Sequence, residues 1–143
     1  MGPKLPDQVC FALYSASSQV TQAYRSLLQP FKLTYPQFVV MMALWEKDGI
    51  SVTILAETVG LSKSTMTPLL KRLELLDYVT REFAVGDDRQ KCIALTDLGK
   101  SLAQDANEAA KEALCATGLE DNEVEQLIRL CSKIKTSLLN LRV

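Results

Sequence analysis

The stretch ISVTILAETVGLSKSTMTPLLKRLELLDYV, residues 50–79, decides the fold class. Ser51 can cap a short helix that ends at Gly60, and Ser62 can cap the helix that follows. Two short helices joined by a tight turn containing glycine are typical of a helix-turn-helix. The stretch therefore predicts a DNA-reading unit near the middle of the chain.

The second of these helices has two distinct faces. Its core-facing residues are predicted to be Met66, Leu69, Leu70, Leu73 and Leu76. The residues that we expect to contact DNA are Lys63, Ser64, Thr65, Thr67, Lys71 and Arg72. Pro68 lies in the second turn, where it removes one backbone hydrogen bond. A helix that is polar and cationic on its outer side suits the major groove.

A predicted β-hairpin follows this helix. The runs DYVTREFAV and KCIALT are rich in β-branched residues and flank the polar turn GDDRQ, residues 86–90. A hairpin directly after a helix-turn-helix is a wing. Asp87 can orient the guanidinium of Arg89, and an arginine on a wing suits the narrow minor groove. The alternative is an ordinary turn ion pair, which contributes little.

Longer helices are predicted on both sides of this unit, at about 7–29, 97–117 and 121–140, with Asp121 capping the last. The segment LTYPQFVVMMALWEKDG has Thr34 as its cap and is apolar all round, so its helix should be central and buried. The fold prediction is one domain, mainly α with a small β-hairpin wing. We expect residues 35–96 to form the winged helix-turn-helix lobe, and residues 7–34 and 97–143 to pair with a second copy.

Composition narrows the function classes. The chain has 143 residues, a net charge of −1 and a pI of about 5.5, which argues against a nonspecific nucleic-acid coat protein. No signal-peptide pattern and no membrane-spanning apolar run occur, so a cytoplasmic protein with no membrane partner is expected. Four cysteines without a C-x-x-C pair, and no histidine, argue against a metal site or cofactor and exclude histidine-based catalysis.

Cys10 lies in QVCFALYSASSQVTQAYRSLL, near the start of the first predicted helix. A buried structural thiol, a metal ligand and a reactive sensor are three interpretations. The positive end of the helix dipole favours a thiolate there. Tyr14 follows one turn later on the same face. Tyr24 is 14 residues away, about 21 Å along a straight helix, so it can reach Cys10 only from an antiparallel second copy.

Two sets of residues carry a family resemblance. The segment GLSKSTMTPLLKRLE resembles the MarR family of winged-helix repressors. The resemblance continues in the spacing of the residues that follow it: Asp87, Arg89, Ile93, Leu95, Thr96 and Gly99. The segments VCFALYSAS, LTYPQFVVMMALWE and TMTPLLKRLE are similar to the organic-hydroperoxide-sensing branch, often called OhrR. The resemblance runs from Val9 to about Leu141.

The resemblance implies a homodimer that binds a pseudo-palindromic operator in double-stranded DNA and is released by organic hydroperoxide. It implies that Cys10 is the sensing cysteine, with Tyr14, Tyr24 and Tyr35 around its thiolate. In the two-cysteine subgroup, the resolving cysteine matches Cys115. The chain departs from the family pattern at Gly60 and at the start of the recognition helix, so no operator sequence is carried over.

Two rival functions stay open at this point. One is a MarR-type regulator that a small aromatic ligand releases from DNA, with Cys10 merely buried. The other is a thiol peroxidase, which would consume peroxide continuously, whereas a sensor reacts once per oxidation and is not an enzyme. The partner of Cys10 is also open, since Cys131, Cys92 or a small thiol could replace Cys115.

Overall fold

The computed structural model of the chain describes the backbone of residues 1–84 and 87–141 and the side chains of residues 1–83 and 91–141. Its elements in chain order are α1 (Val9–Leu28), α2 (Tyr35–Glu46), β1 (Ile50–Ser51), α3 (Val52–Val59), α4 (Lys63–Leu75), β2 (Val79–Ala84), β3 (Asp87–Leu95), α5 (Asp97–Ser101), α6 (Ala103–Ala116) and α7 (Asp121–Leu139). This mainly helical architecture with a small antiparallel sheet confirms the predicted winged-helix fold class.

Helix α2 is the centre of the lobe, as its all-round apolar sequence predicts. It packs against α1, α3, α4 and β3. Phe38, Val40, Met41 and Leu44 are all buried, and they share one core with residues of α3, α4 and the sheet. Burying a side chain of this size contributes about 1.5–3 kcal/mol relative to leaving it exposed. The core therefore fixes α4 to a rigid base.

Hydroxyl caps begin three of the helices at the predicted residues. The Thr34 side chain accepts from the Gln37 N–H, and Gln37 reciprocates by accepting from the Thr34 N–H at 2.9 Å. Ser51 accepts from the Ile54 N–H and Ser62 from the Thr65 N–H, so both predicted caps are confirmed. Each such cap stabilises its helix by about 1 kcal/mol.

The sheet contains a strand that the sequence did not predict. β1 pairs with β3, through Ile50 opposite Ile93, and the strand order is β1-β3-β2. The predicted turn GDDRQ is wrong in its extent, because β3 already begins at Asp87, which pairs with Ala84 across a register shift. Ladder hydrogen bonds come from the backbone, so the polar run after Asp87 can pair as well as an apolar one.

The long helices differ from prediction at their ends. α1 begins at Val9 rather than Asp7, because residues 5–7 form a separate 3₁₀ turn and Gln8 is extended. The predicted helix 97–117 is two helices, α5 and α6, divided at Leu102, which packs against the core. The cap of α7 is Glu120, in a capping box with Glu123, and not Asp121.

Helix α7 stands apart from the rest of the described chain. None of its residues is buried, and it makes no extensive contact with any other element within 1–84 and 87–141. The predicted stripe of Leu127, Ile128, Cys131, Ile134, Lys135 and Leu138 is thus largely uncovered in one chain. Among the helices of the described residues, none has the length and apolarity needed to cross a membrane.

Candidate functional site

Cys10 is the second residue of α1, and its side chain is exposed. The helix cap before it, Gln8, makes no side-chain hydrogen bond to the first turn. Within a single chain, Cys10 is therefore not part of the hydrophobic core. Phe11 and Leu13 lie beside it, exposed and half-buried respectively, and they give the surface around the thiol an apolar character.

Two of the three predicted pocket tyrosines form a cluster at the other end of α1. The ring of Tyr24 lies 4.8 Å from that of Tyr35, between centroids, and 5.6 Å from that of Phe38. Burial raises the pKa of the Tyr24 phenol, and the neighbouring Tyr35 phenol raises it further. Tyr24 thus stays a hydrogen-bond donor to high pH. Tyr14 is 75% exposed and is not part of this cluster.

The unbroken course of α1 separates the thiol from this cluster within one chain. Cys10 and Tyr24 both belong to the continuous helix Val9–Leu28. Fourteen residues at about 1.5 Å each hold them about 21 Å apart along the axis. The phenol cannot reach the thiol of its own chain.

The other cysteines differ in exposure. Cys115 is exposed at the penultimate residue of α6, and Gly118, with φ 73°, follows the helix end. Cys92 on β3 and Cys131 on α7 are half-buried. Of the candidate resolving cysteines, Cys115 is therefore the exposed one, and it lies at the end of a helix.

The predicted DNA-contacting residues of α4 share one exposed face. The opposite face is buried through Met66, Leu70 and Leu73. The exposed residues are Lys63, Ser64, Thr65, Thr67, Lys71 and Arg72. The Ser62 hydroxyl is 3.0 Å from that of Ser64 and 2.9 Å from that of Thr65. The structure thus presents a cationic face on a helix whose first turn is hydrogen-bonded in place.

The wing is tied to this helix by an ion pair. The Arg81 Nε on β2 donates to the Glu74 carboxylate of α4, and both side chains are half-buried. Asp87 and Arg89 belong to β3, but their side chains lie outside the described residues. The predicted contact of Arg89 with the minor groove stays a prediction.

A small apolar cavity of about 220 Å³ lies between α2 and α6. Phe38, Met42, Trp45 and Ala106 line it, together with the polar Asn107. The Trp45 indole N–H is engaged elsewhere, since it donates to the Gly99 carbonyl at 2.9 Å. The cavity can take a small apolar or aromatic group.

Residues 33–91 match the MarR family. The HTH-type transcriptional regulator MgrA of Staphylococcus aureus is 35% identical over 131 residues, which are 91% of this chain and 89% of MgrA. The chain belongs to the MarR family. It is accordingly a winged-helix, DNA-binding transcriptional regulator, and the exposed face of α4 is the face expected to meet DNA in such a protein.

Solved structures of two MarR-fold proteins are informative about regulation. Reduced AbfR bound to DNA is 32% identical, with a TM-score of 0.81, and the match covers 96% of this chain and 94% of that one. AbfR, known from Staphylococcus epidermidis, also has a disulfide form, which matches with a TM-score of 0.68. CouR from Rhodococcus jostii RHA1 bound to p-coumaroyl-CoA is 27% identical, with a TM-score of 0.82, covering 93% and 95%.

Some features of this MarR-family chain were not predicted from its sequence. Phe38 and Trp45 line the cavity, but their two-turn spacing in an all-apolar run indicated only core packing. Lys47 and Lys91 border a second cleft beside α4, described below, and lie outside the predicted DNA-contacting set. Their signal was absent because Lys47 follows α2 and Lys91 belongs to β3, and only the tertiary fold brings these segments together.

Proposed function

We propose that this chain is a homodimeric repressor that leaves its operator when an organic hydroperoxide oxidises Cys10. The observation that carries the proposal is the thiol in the first turn of α1, which is exposed in the single chain and lies beside apolar side chains. An exposed thiol at a helix N-terminus is the environment in which reactive cysteines occur. The apolar neighbours favour an alkyl hydroperoxide over hydrogen peroxide.

The dimer brings the two halves of the site together. If two α1 helices pack antiparallel, Cys10 of one copy meets the Tyr24 and Tyr35 end of the other. Phenol hydroxyls then donate hydrogen bonds to the thiolate and stabilise it. In this arrangement residues 7–34 and 97–143 form the dimerisation region, and residues 35–96 form the DNA-binding lobe.

The chemistry has two steps. The Cys10 thiolate attacks the O–O bond of ROOH, which gives a sulfenic acid, and the departing alkoxide takes a proton and leaves as an alcohol. A second thiol, Cys115 of the other copy, then displaces the sulfenic oxygen as water and forms a disulfide. The peroxide is the oxidant in the first step, where it takes two electrons from the Cys10 sulfur. In the second step the sulfenic sulfur accepts the electron pair of the Cys115 thiolate, so no further oxidant is needed. One oxidation consumes one peroxide, so the reaction is a signal and not turnover.

The repressor reads DNA through α4. A two-fold dimer binds a pseudo-palindrome with one recognition helix in each of two major grooves, about 34 Å apart. A disulfide that shifts the dimerisation helices changes this spacing. The comparison with AbfR is in keeping with this idea, because AbfR has both a reduced form bound to DNA and a disulfide form, and the two match this chain with TM-scores of 0.81 and 0.68.

A ligand-released regulator is the second candidate, and the cavity between α2 and α6 favours it. At about 220 Å³ it is smaller than the 300–1,000 Å³ of common ligand sites, so it suits a small aromatic ligand rather than a coenzyme A thioester. CouR, with p-coumaroyl-CoA bound, has the same fold. This candidate predicts loss of DNA binding on ligand addition under full reduction.

The experiment is a DNA-binding titration in three redox states, with a duplex selected from a random-sequence pool. Reduced protein should bind, protein treated with cumene hydroperoxide should release the duplex, and dithiothreitol should restore binding. A continuous peroxide-consumption assay with a dithiol reductant runs in parallel. Sustained turnover without an effect on DNA would favour a thiol peroxidase and contradict the proposal.

A further inference from the structure

A cleft of about 710 Å³ opens between the start of α4 and the wing. Its walls come from four elements and one loop residue: β1, the first turn of α3, Lys63 of α4, Lys91 and Cys92 of β3, and Lys47, which directly follows α2. The described residues that line it include three lysines and no acidic side chain. All three lysines are exposed, and among the side chains that the structure describes none of them forms a salt bridge.

The position of this cleft follows from the geometry of a duplex. The recognition helix enters a major groove, and a wing reaches the adjacent minor groove. In B-DNA, one sugar-phosphate strand separates a major groove from the neighbouring minor groove. That strand must therefore pass between α4 and the wing, which is where the cleft opens.

We propose that this cleft holds the phosphate backbone of the operator, with Lys47 and Lys91 joining Lys63 as its cations. The inference rests on the proposed function, since it requires α4 to read DNA. It adds Lys47, which follows α2, and Lys91 of β3 to the expected DNA-contacting residues, which otherwise lie on α4 and at the wing tip.

The first turn of α3 adds donors to the same cleft. Ser51 caps this eight-residue helix by accepting from the Ile54 N–H at 3.1 Å. The earlier N–H groups, of Val52 and Thr53, have no acceptor within the helix, and the positive end of the helix dipole lies beside them. Val52 and Thr53 both line the cleft, and Thr53 also brings an exposed hydroxyl.

Lysines in such a cleft position the duplex without reading its sequence. An ammonium group on a phosphate contributes the same attraction whatever base follows. Because β1 pairs with β3, with Ser51 opposite Cys92, Lys47 just before β1 and Lys91 on β3 are held on one connected framework. The cleft thereby fixes the depth and register at which α4 meets the major groove.

The test is the salt dependence of binding to the selected duplex and to a random-sequence duplex of the same length. Lys47→Ala and Lys91→Ala should each lower the slope of log K against log salt by about 2 per homodimer, which is about 1 for each lost phosphate contact. Affinity should fall equally for both duplexes. Lys91→Arg should restore the slope, and Lys133→Ala, at an exposed lysine of α7, is the matched control.

The slopes also separate this inference from the proposed function. Wild-type slopes in Lys47→Ala and Lys91→Ala, with normal operator binding and peroxide release, would contradict phosphate binding in the cleft. The proposed repressor function would still stand. A selective loss on the selected duplex alone would also overturn it, because it would show base reading. Wild-type protein that binds neither duplex would overturn both.

A second arm distinguishes a backbone phosphate from a free one. Cys92 lines the cleft, so its alkylation by iodoacetamide, followed by mass spectrometry of the peptide 92–100, reports whether the cleft is covered. We expect several-fold slower alkylation with the duplex and no change with inorganic phosphate or pyrophosphate at equal ionic strength. Protection by the free anions and not by the duplex would show a small-molecule phosphate site instead.

Discussion

At the scale of single residues, the candidate sensor divides into a thiol and two phenols at opposite ends of one helix. Cys10 is exposed, and the Tyr24 ring is half-buried against Tyr35 and Phe38. This division gives each residue a separate property that can be measured. The thiol can be tested by its reaction with peroxide, and the phenols by their titration.

The raised pKa of Tyr24 predicts a pH dependence of stability. The unfolded chain loses the phenol proton near pH 10, whereas the folded chain, in which burial and Tyr35 raise the pKa, holds it longer. Stability is therefore intact below pH 10 and falls as pH rises from there through the folded pKa. Urea unfolding across pH 8–12 should show a shallower alkaline fall for Tyr24→Phe than for the wild type.

Tyr78 provides the comparison for this titration. Burial raises its pKa too, but its hydroxyl donates to the Phe31 carbonyl at 2.8 Å. Tyr78→Phe should therefore lose about 0.5–1.5 kcal/mol already at pH 7, in contrast to Tyr24→Phe. Identical alkaline limbs in the wild type and Tyr24→Phe would contradict the assigned environment of Tyr24.

At the scale of elements, one junction joins the winged lobe to the helices that follow it. The Thr96 hydroxyl donates to the Asp77 carbonyl at 2.6 Å and caps α5 by accepting from the Gly99 N–H. Gly99 in turn accepts from the indole of Trp45 on α2. The end of the sheet, α2 and α5 are thus connected through Gly99.

Gly99→Ala should destabilise this junction. A Cβ at this residue would overlap the backbone carbonyl of Tyr78, and overpacking of this kind costs about 1–3 kcal/mol. Trp45 is the single tryptophan, so its fluorescence should report the change directly. Gly2→Ala, where a Cβ meets open space, is the control. Unchanged stability and emission in Gly99→Ala would contradict the close packing.

Local signals predicted much of the element order. The caps Thr34, Ser51 and Ser62 act on neighbouring N–H groups, so the sequence near each helix start contains the information. β1 could not be predicted, because two residues become a strand only by pairing with β3. The division at Leu102 was also missed, since core packing overrides a helical periodicity that continues through it.

The candidate site was predictable in its residue types and not in its geometry. Spacing alone separated Cys10 from Tyr24 along α1, and the continuous helix confirms that separation. The contact of Tyr24 with Tyr35 joins α1 to α2 and depends on the tertiary fold. The lysines of the cleft beside α4 depend on it for the same reason.

At the scale of the whole molecule, one chain leaves a large apolar surface uncovered. The exposed apolar residues of its outer helices are Val9, Phe11, Tyr14 and Val20 on α1, Leu114 on α6, and Leu127, Ile128, Leu130, Leu138 and Leu139 on α7. So many exposed large apolar side chains on the outer helices are what an interface between protein copies would cover. A second copy would cover the same residues on both partners.

Ile128→Glu should therefore separate the dimer. Ile128 is 63% exposed in one chain, so the substitution leaves the folded protomer intact but introduces a charge that the dimer would bury. Sedimentation equilibrium should show a shift towards monomer and a parallel loss of operator affinity. Lys133→Glu, which changes charge off the apolar stripe of α7, is the control. A fully dimeric Ile128→Glu protein would contradict the assignment.

Oxidation should link the two copies covalently. Cys115 is exposed at the end of α6, where Gly118 follows and a helix end can fray. A disulfide requires Cα atoms within about 7 Å, so thiols that start farther apart in the reduced dimer can bond only after the helices move. Peroxide should give a covalent dimer on a non-reducing gel, absent in Cys10→Ser and Cys115→Ser. A dimer that persists in Cys115→Ser and disappears in Cys131→Ser would identify Cys131 as the partner.

The central claim is that Cys10 alone starts the release from DNA. The most direct measurement is operator affinity during a titration with cumene hydroperoxide, for wild-type protein and Cys10→Ser side by side. Serine keeps the size of the side chain and removes the nucleophilic sulfur. We predict equal affinity in both proteins before peroxide, and release of the wild type only. Release of Cys10→Ser at the same peroxide concentration would contradict the account.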